Sequence, residues 1–189
     1  MRISIVFRMI PVIIIACVMG LAGEDTVSYD RIIRDNTIIA PGVGSDGVLL
    51  NEDMDAVATR FGLRKFKISK PRGTGELFKH VFKVDSGNKI YFDSLYYHEE
   101  KKFMVCVFRR KVVALVGFNN NNITTEAVSL RSGISSFMYY YGNRSARLIK
   151  SDSNGIYLYP GRGIAVIDDG MNDTIDVYIV FPAESARHH

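Results

Sequence analysis

Two stretches of the chain decide its fold: VLLNEDMDAVATRFG, Val48 to Gly62, and VSLRSGISSFMYYYG, Val128 to Gly142. Laid one above the other they run without a gap, eighty residues apart, from Val48 over Val128 to Gly62 over Gly142. Met54 faces Ile134, Val57 faces Phe137, Ala58 faces Met138 and Phe61 faces Tyr141, while the positions between vary freely. These apolar positions fall at i, i+3, i+4 and i+7, the spacing that lines one face of an α-helix. Asn51 and Ser132 stand where N-caps belong, Glu52 and Asp53 suit the positive end of the first helix, and Gly62 and Gly142 read as left-handed C-caps. Two turns or so of helix is too little to persist unpacked, so each helix must lie on something.

The segments C-terminal to the helices supply that surface. After the first come KIYFDSLYY (89–97), FMVCVF (103–108) and VVALVGF (112–118), separated by HEEKK and RRK. After the second come GIYLY (155–159), GIAVI (163–167) and TIDVYIVF (174–181), separated by PGR and DDGMND. Short runs rich in Val, Ile, Phe and Tyr between turn residues predict three-stranded antiparallel meanders. In TIDVYIVF, Ile175, Val177, Ile179 and Phe181 alternate strictly, which predicts a strand with one solvated face. The expected fold is therefore α+β: two repeated modules, each a short helix followed by a three-stranded antiparallel meander, packed as helices on sheet.

The order of leading strand, polar cap, short helix ending in Gly and Tyr-rich meander resembles the modules of small exported bacterial proteins. These are the SmpA/BamE-like outer-membrane assembly lipoproteins and the beta-lactamase-inhibitor proteins, and the resemblance spans residues 40–182 as topology. It implies protein–protein binding in the cell envelope, without catalysis.

Outside the modules, the N-terminus reads MRISIVFRMIPVIIIACVMGLAGED: Arg2 and Arg8, then an uncharged run from Met9 to Gly23, then small residues. That is the pattern of a secretory signal peptide, residues 1–23. Gly20-Leu21-Ala22 offers a general cleavage site, giving a soluble periplasmic or extracellular protein. Ile14-Ile15-Ala16-Cys17 offers a lipobox, in which Cys17 would carry the lipid and tether the protein to a membrane surface. Residues 24–38 read as a flexible lead-in, 39–118 as the first module, 119–122 (NNNN) as a linker, 123–182 as the second module and 183–189 as a polar tail. Of 189 residues 47% are hydrophobic, and the net charge of +4 falls to about +2 once Arg2 and Arg8 leave with the signal peptide. Neither figure points to a nucleic-acid partner. Cys106, inside FMVCVF, then has no disulfide mate and reads as a small buried hydrophobe.

Residues with chemistry to offer are few. His80 and His98 lie in charged surroundings, where they read as exposed, and neither stands at metal-ligand spacing from another ligand. The acids of DDGMNDTID (168–176) miss the spacing of a calcium loop and suit a turn; GVGSDG (42–47) and PGRG (160–163) lack a phosphate-loop lysine and also read as turns. Asn122, Asn143 and Asn172 each open an N-glycosylation sequon. No cofactor, metal or catalytic residue is expected.

Two surface features remain. The segment 63–88 reads as a basic insertion in the first module, and its part from Leu63 to Lys83 sets Arg64, Lys65, Lys67, Lys70, Arg72, Lys79 and Lys83 against Glu76 alone. Such a segment suits an anionic membrane, a cell-wall polymer or an acidic protein, and equally a solvated strand face. The run SSFMYYYG (135–142) puts Tyr139 and Tyr140 opposite Thr59 and Arg60, on the outer face of the second helix, as candidate partner contacts. The expected function is thus a non-enzymatic exported envelope protein that binds another envelope protein, with binding of an anionic ligand or surface through residues 64–83 as the alternative.

Overall fold

The computed structural model describes residues 29, 31–69, 92–119, 121–142, 147–151, 154–168 and 174–183. It is a mixed helix-and-sheet structure, mostly strand. Three short strands, β1 (Ile38–Ala40), β2 (Gly44–Ser45) and β3 (Val48–Leu49), lead into helix α1 (Met54–Phe61) and a 3-10 turn, Leu63–Lys65. Then come β4 (Phe66–Ser69), β5 (Ser94–His98), β6 (Phe103–Phe108) and β7 (Lys111–Gly117). A short β8 (Ile123–Thr124) and a 3-10 turn, Leu130–Ser132, precede helix α2 (Gly133–Tyr141). The last strands are β9 (Arg147–Ser151), β10 (Asn154–Tyr159), β11 (Ile164–Asp168) and β12 (Val177–Val180).

The eight longer strands form one sheet in the order β4-β5-β6-β7-β12-β11-β10-β9, antiparallel at every pairing. Each expected meander thus has a fourth strand, β4 at one edge and β9 at the other. Both are short; β4 falls in the basic segment that also read as a solvated strand face, and RLIKS has no alternation to mark it. Residues 63–69 of the expected basic insertion accordingly belong to the framework as the 3-10 turn and β4. The smaller sheet runs β3-β2-β1-β8, with β1 and β8 parallel.

Both helices sit on the face of the large sheet that carries Phe103, Val105, Leu115, Tyr159, Ile164, Val166, Tyr178 and Val180. Met54 and Val57 of α1, and Phe137 and Tyr141 of α2, are buried in that core, with Ala58, Phe61 and Ile134 packed against it. Phe137 and Tyr141 stack at 4.3 Å. Each helix is closed by its glycine: Gly62 N–H donates to the Ala58 carbonyl and Gly142 N–H to the Met138 carbonyl. Of the two expected N-caps, Ser132 holds its position before α2, but Asn51 does not cap α1. Asp53 caps α1, its carboxylate accepting from Asp55 N–H, because Asn51 is held in a left-handed conformation (φ 62°) with its N–H on the Val112 carbonyl. Ser132 precedes α2 without a side-chain bond, while Ser129 caps the 3-10 turn before it.

The opposite face of the large sheet is apolar as well. Leu95, Cys106, Ala114, Val116, Ile156, Leu158, Ala165, Ile167, Ile179 and Phe181 are all buried there. The expectation of a solvated face on TIDVYIVF is therefore corrected: Tyr178 and Val180 on one side and Ile179 and Phe181 on the other are equally buried. β12 lies in the middle of the sheet, and a central strand reads as continuous apolar sequence because both its faces are covered. The expected lead-in also takes part, for Ile32 is fully buried against Ile38 and Ala40. Among the described residues no helix is long and apolar enough to cross a membrane. The expected signal peptide, with Cys17, and residues 184–189 of the expected tail lie outside the described residues.

Candidate functional site

Helix α2 sorts its aromatic residues by helical geometry. Phe137 and Tyr141 point to the core, so Tyr139, two positions on from Phe137, points away, while Tyr140 lies on the flank of the helix and is also exposed. They are 83% and 60% exposed, and their rings meet edge-to-face with centroids 5.4 Å apart. Tyr141, the third of the run, is tied inward by donating its hydroxyl to Glu126 Oε2 at 2.6 Å. The pair thus stands on a helix whose opposite face is anchored, which limits the entropy lost if a partner covers it.

The basic residues are more dispersed in role. Arg64 and Lys65 lie exposed in the 3-10 turn after α1, and Lys67 points outward from edge strand β4. Lys65 Nζ is 3.1 Å from Glu100, and Lys67 Nζ is 2.7 Å from Glu99, both acids coming from the adjacent β5–β6 turn. Strand pairing causes this, since β4 lies antiparallel to β5 with Phe66 opposite His98. Two of the charges are therefore matched locally. Lys70, Arg72, Lys79 and Lys83 lie outside the described residues.

His98 is not exposed as its charged neighbours suggested. It is buried, stacked on Phe103 at 5.4 Å and flanked edge-on by Phe61 and Phe66. Its Nδ1 accepts from Lys101 N–H at 3.4 Å. Burial holds its pKa below the usual imidazole value, so the ring is kept neutral. The charges of HEEKK belong to the turn, while His98 is the last inward position of β5. His80 lies outside the described residues.

The least foreseen feature is a buried polar cluster. The tip of the β2–β3 hairpin is Asp46-Gly47, both at positive φ (55° and 77°), as a tight hairpin turn demands. That turn aims the Asp46 carboxylate inward, and the residue is only 4% exposed. Tyr178 of β12 donates its hydroxyl to Asp46 Oδ2. Asn122 donates through Nδ2 to Asp46 Oδ1 at 3.0 Å and to the Tyr178 hydroxyl at 2.6 Å. Asn122 is fully buried, so the run expected as a linker ends in a core residue, and its sequon is closed to glycosylation in the folded protein. Asn122 Oδ1 is buried here without a hydrogen-bond partner. Burial raises the Asp46 pKa to about 6, against the opposing hydrogen bonds of Tyr178 and Asn122. A cleft of about 320 Å³ opens onto Asp46, walled by Asn36, Glu100, Lys101, Lys102 and Asn119.

A turn-and-linker reading of GVGSDG and NNNN had no means of finding these residues. The signal, an acid at the tip of a hairpin and a Tyr in a central strand, acquires meaning only once the sheets are assembled. Among the described residues no group of three His, Cys, Asp or Glu side chains is placed to hold a metal ion. The acids 169–173 and the sequon at Asn143 lie outside the described residues. Comparison of the chain with models of known protein families, with curated proteins and with solved structures finds no match.

Proposed function

We propose that the protein is a non-enzymatic component of the cell envelope that works by binding another protein through the outer face of α2, with Tyr139 and Tyr140 as its anchors. The observation that carries this reading is the exposure of two adjacent tyrosines on a helix whose core face is already filled by Phe137 and Tyr141. The fold gains nothing from them there, and paired aromatic side chains on a rigid element are the kind of residue that dominates protein–protein interfaces.

The scaffold supports the same reading. We take the fold to be a duplicated module, helix then meander, extended from three strands to four. In favour is the mirrored strand order about the β7–β12 seam, together with matching glycine caps eighty residues apart. A module of this kind resembles those of the SmpA/BamE-like and beta-lactamase-inhibitor proteins, for which binding rather than catalysis is expected. Export rests on the leader, residues 1–23. The anionic-surface alternative draws less support, because Lys65 and Lys67 already face Glu100 and Glu99.

Crosslinked capture from the native envelope tests the proposal, using wild-type protein beside a Tyr139→Ser/Tyr140→Ser double variant. Loss of a captured protein in the double variant is expected. Undiminished capture in that variant, lost instead on charge reversal of Arg64, Lys65, Lys67, Lys70 and Arg72 together with binding to anionic vesicles, would overturn it in favour of the alternative.

A further inference from the structure

The Asp46 cluster has three properties that together go beyond packing. First, it joins parts of the chain that are far apart in sequence. Its members come from the β2–β3 hairpin, the start of β8 and the centre of β12, separated by 76, 56 and 132 residues along the chain. Two belong to or flank the small sheet, and the third is in the large one. Second, its carboxylate has no countercharge in contact. Among the described residues no cationic side chain stands within ion-pair distance of Asp46. The facing groups are Tyr178 from β12, Ser45 beside it on β2, Asn122 before β8, and Glu100, Lys101 and Lys102 of the β5–β6 turn at the cleft wall. Of these, Lys101 acts on it at longer range while its Nζ rests 5.2 Å from the centre of the Phe61 ring. Third, Asp46 lines the cleft, so solvent protons reach it without unfolding.

A buried carboxylate without a paired cation is costly to keep charged. Uptake of a proton removes that cost and adds a donor to a cluster in which Asn122 Oδ1 lacks one. We propose that Asp46 is a proton-operated latch between the two sheets: neutral, it holds the β2–β3 hairpin and β8 to Tyr178 of β12, and ionised, it lets the small sheet open more readily. The sign comes from linkage. The folded-state pKa lies above the unfolded one, so the stabilisation is complete below the unfolded value of 3.8 and is lost as pH rises through about 6. The surface that responds is the small sheet together with the cleft.

Two measurements on the intact protein test the latch. A carbon-13 NMR titration of the Asp46 carboxyl should give a midpoint near 6, well above that of exposed aspartates. Hydrogen exchange of the β1–β3 and β8 amides, corrected for intrinsic base catalysis, should lose protection between pH 4 and pH 8. The loss is on the order of a hundredfold at most, as two pKa units imply. Asp46→Asn keeps the positive φ accessible and mimics the neutral acid, so its protection should not change over that range. An Asp46 midpoint near 4, or parallel pH responses in wild type and Asp46→Asn, would overturn the proposal. If Asp46→Asn does not fold, the wild-type titration alone decides.

Discussion

Gly117 of β7 and Tyr178 of β12 stand directly opposite each other across the seam where the two meanders join, and a Cβ on Gly117 would overlap Cζ and the hydroxyl oxygen of Tyr178. The bare glycine therefore makes the room through which the Tyr178 side chain reaches Asp46. Because φ at Gly117 is not in the left-handed region, the penalty of a substitution there is one of space. Gly117→Ala is expected to cost about 1–3 kcal/mol, the range for overfilling a packed core. Denaturant unfolding at pH 7 measures it, and an effect within the noise would mean that the Tyr178 ring has another place to go.

The two faces of α2 should behave oppositely. Phe137 is fully buried and stacked on Tyr141, so Phe137→Ala should cost about 3–5 kcal/mol. Tyr140→Ser, on the exposed flank of the helix, should stay within about 0.5 kcal/mol of wild type. Paired thermal and urea unfolding curves for the two variants give the comparison.

His98 gives the protein an acid-side weakness. Its folded pKa is depressed by burial among Phe61, Phe66 and Phe103, below the ordinary 6.5. The unfolded chain thus takes up this proton first, so the stability tied to the neutral ring is present above pH 6.5 and falls as pH drops below it. His98→Gln should flatten that part of the stability profile. Asp46 slopes the other way, so wild-type stability alone reports the sum of two opposing trends. Single variants at each position separate the two.

Cys106 is fully buried on the second apolar face of the sheet, and burial pushes its thiol far above the ordinary range. A thiol that cannot ionise is a poor nucleophile. A thiol reagent at about pH 8 should leave Cys106 of the folded protein unlabelled and react promptly in denaturant. Labelling at the same rate in both conditions would place Cys106 at the surface.

Much of this structure is legible in the sequence because it rests on local periodicity. The apolar spacing of Met54, Val57 and Phe61, and of Ile134, Phe137 and Tyr141, marks helices whether or not the rest of the chain is known. The same spacing places Tyr139 and Tyr140 outside. Features set by tertiary neighbours could not be read this way. His98 sits beside four charged residues in sequence, yet strand direction turns it inward. Asp46 and Asn122 carry the marks of turns and linkers, and they are in fact turn residues whose side chains enter the core. β9 has too few apolar positions to declare itself, and pairing with β10 is what makes it a strand, whereas β4 carries the alternation that reads as a solvated strand face.

The position of β12 has a consequence for how the chain acquires its shape. The strand latest in the sequence is inserted at the centre of the large sheet, between β7 and β11, rather than added to an edge. A ribosome or a translocon that has released everything up to β11 has delivered two half-sheets whose facing strands, β7 and β11, still lack the strand that lies between them. Their apolar, unpaired borders are the kind of edge that recruits other chains. Final closure therefore waits for residues 177–180, and a chain cut short before Ile175 is expected to aggregate rather than fold as a smaller version of itself.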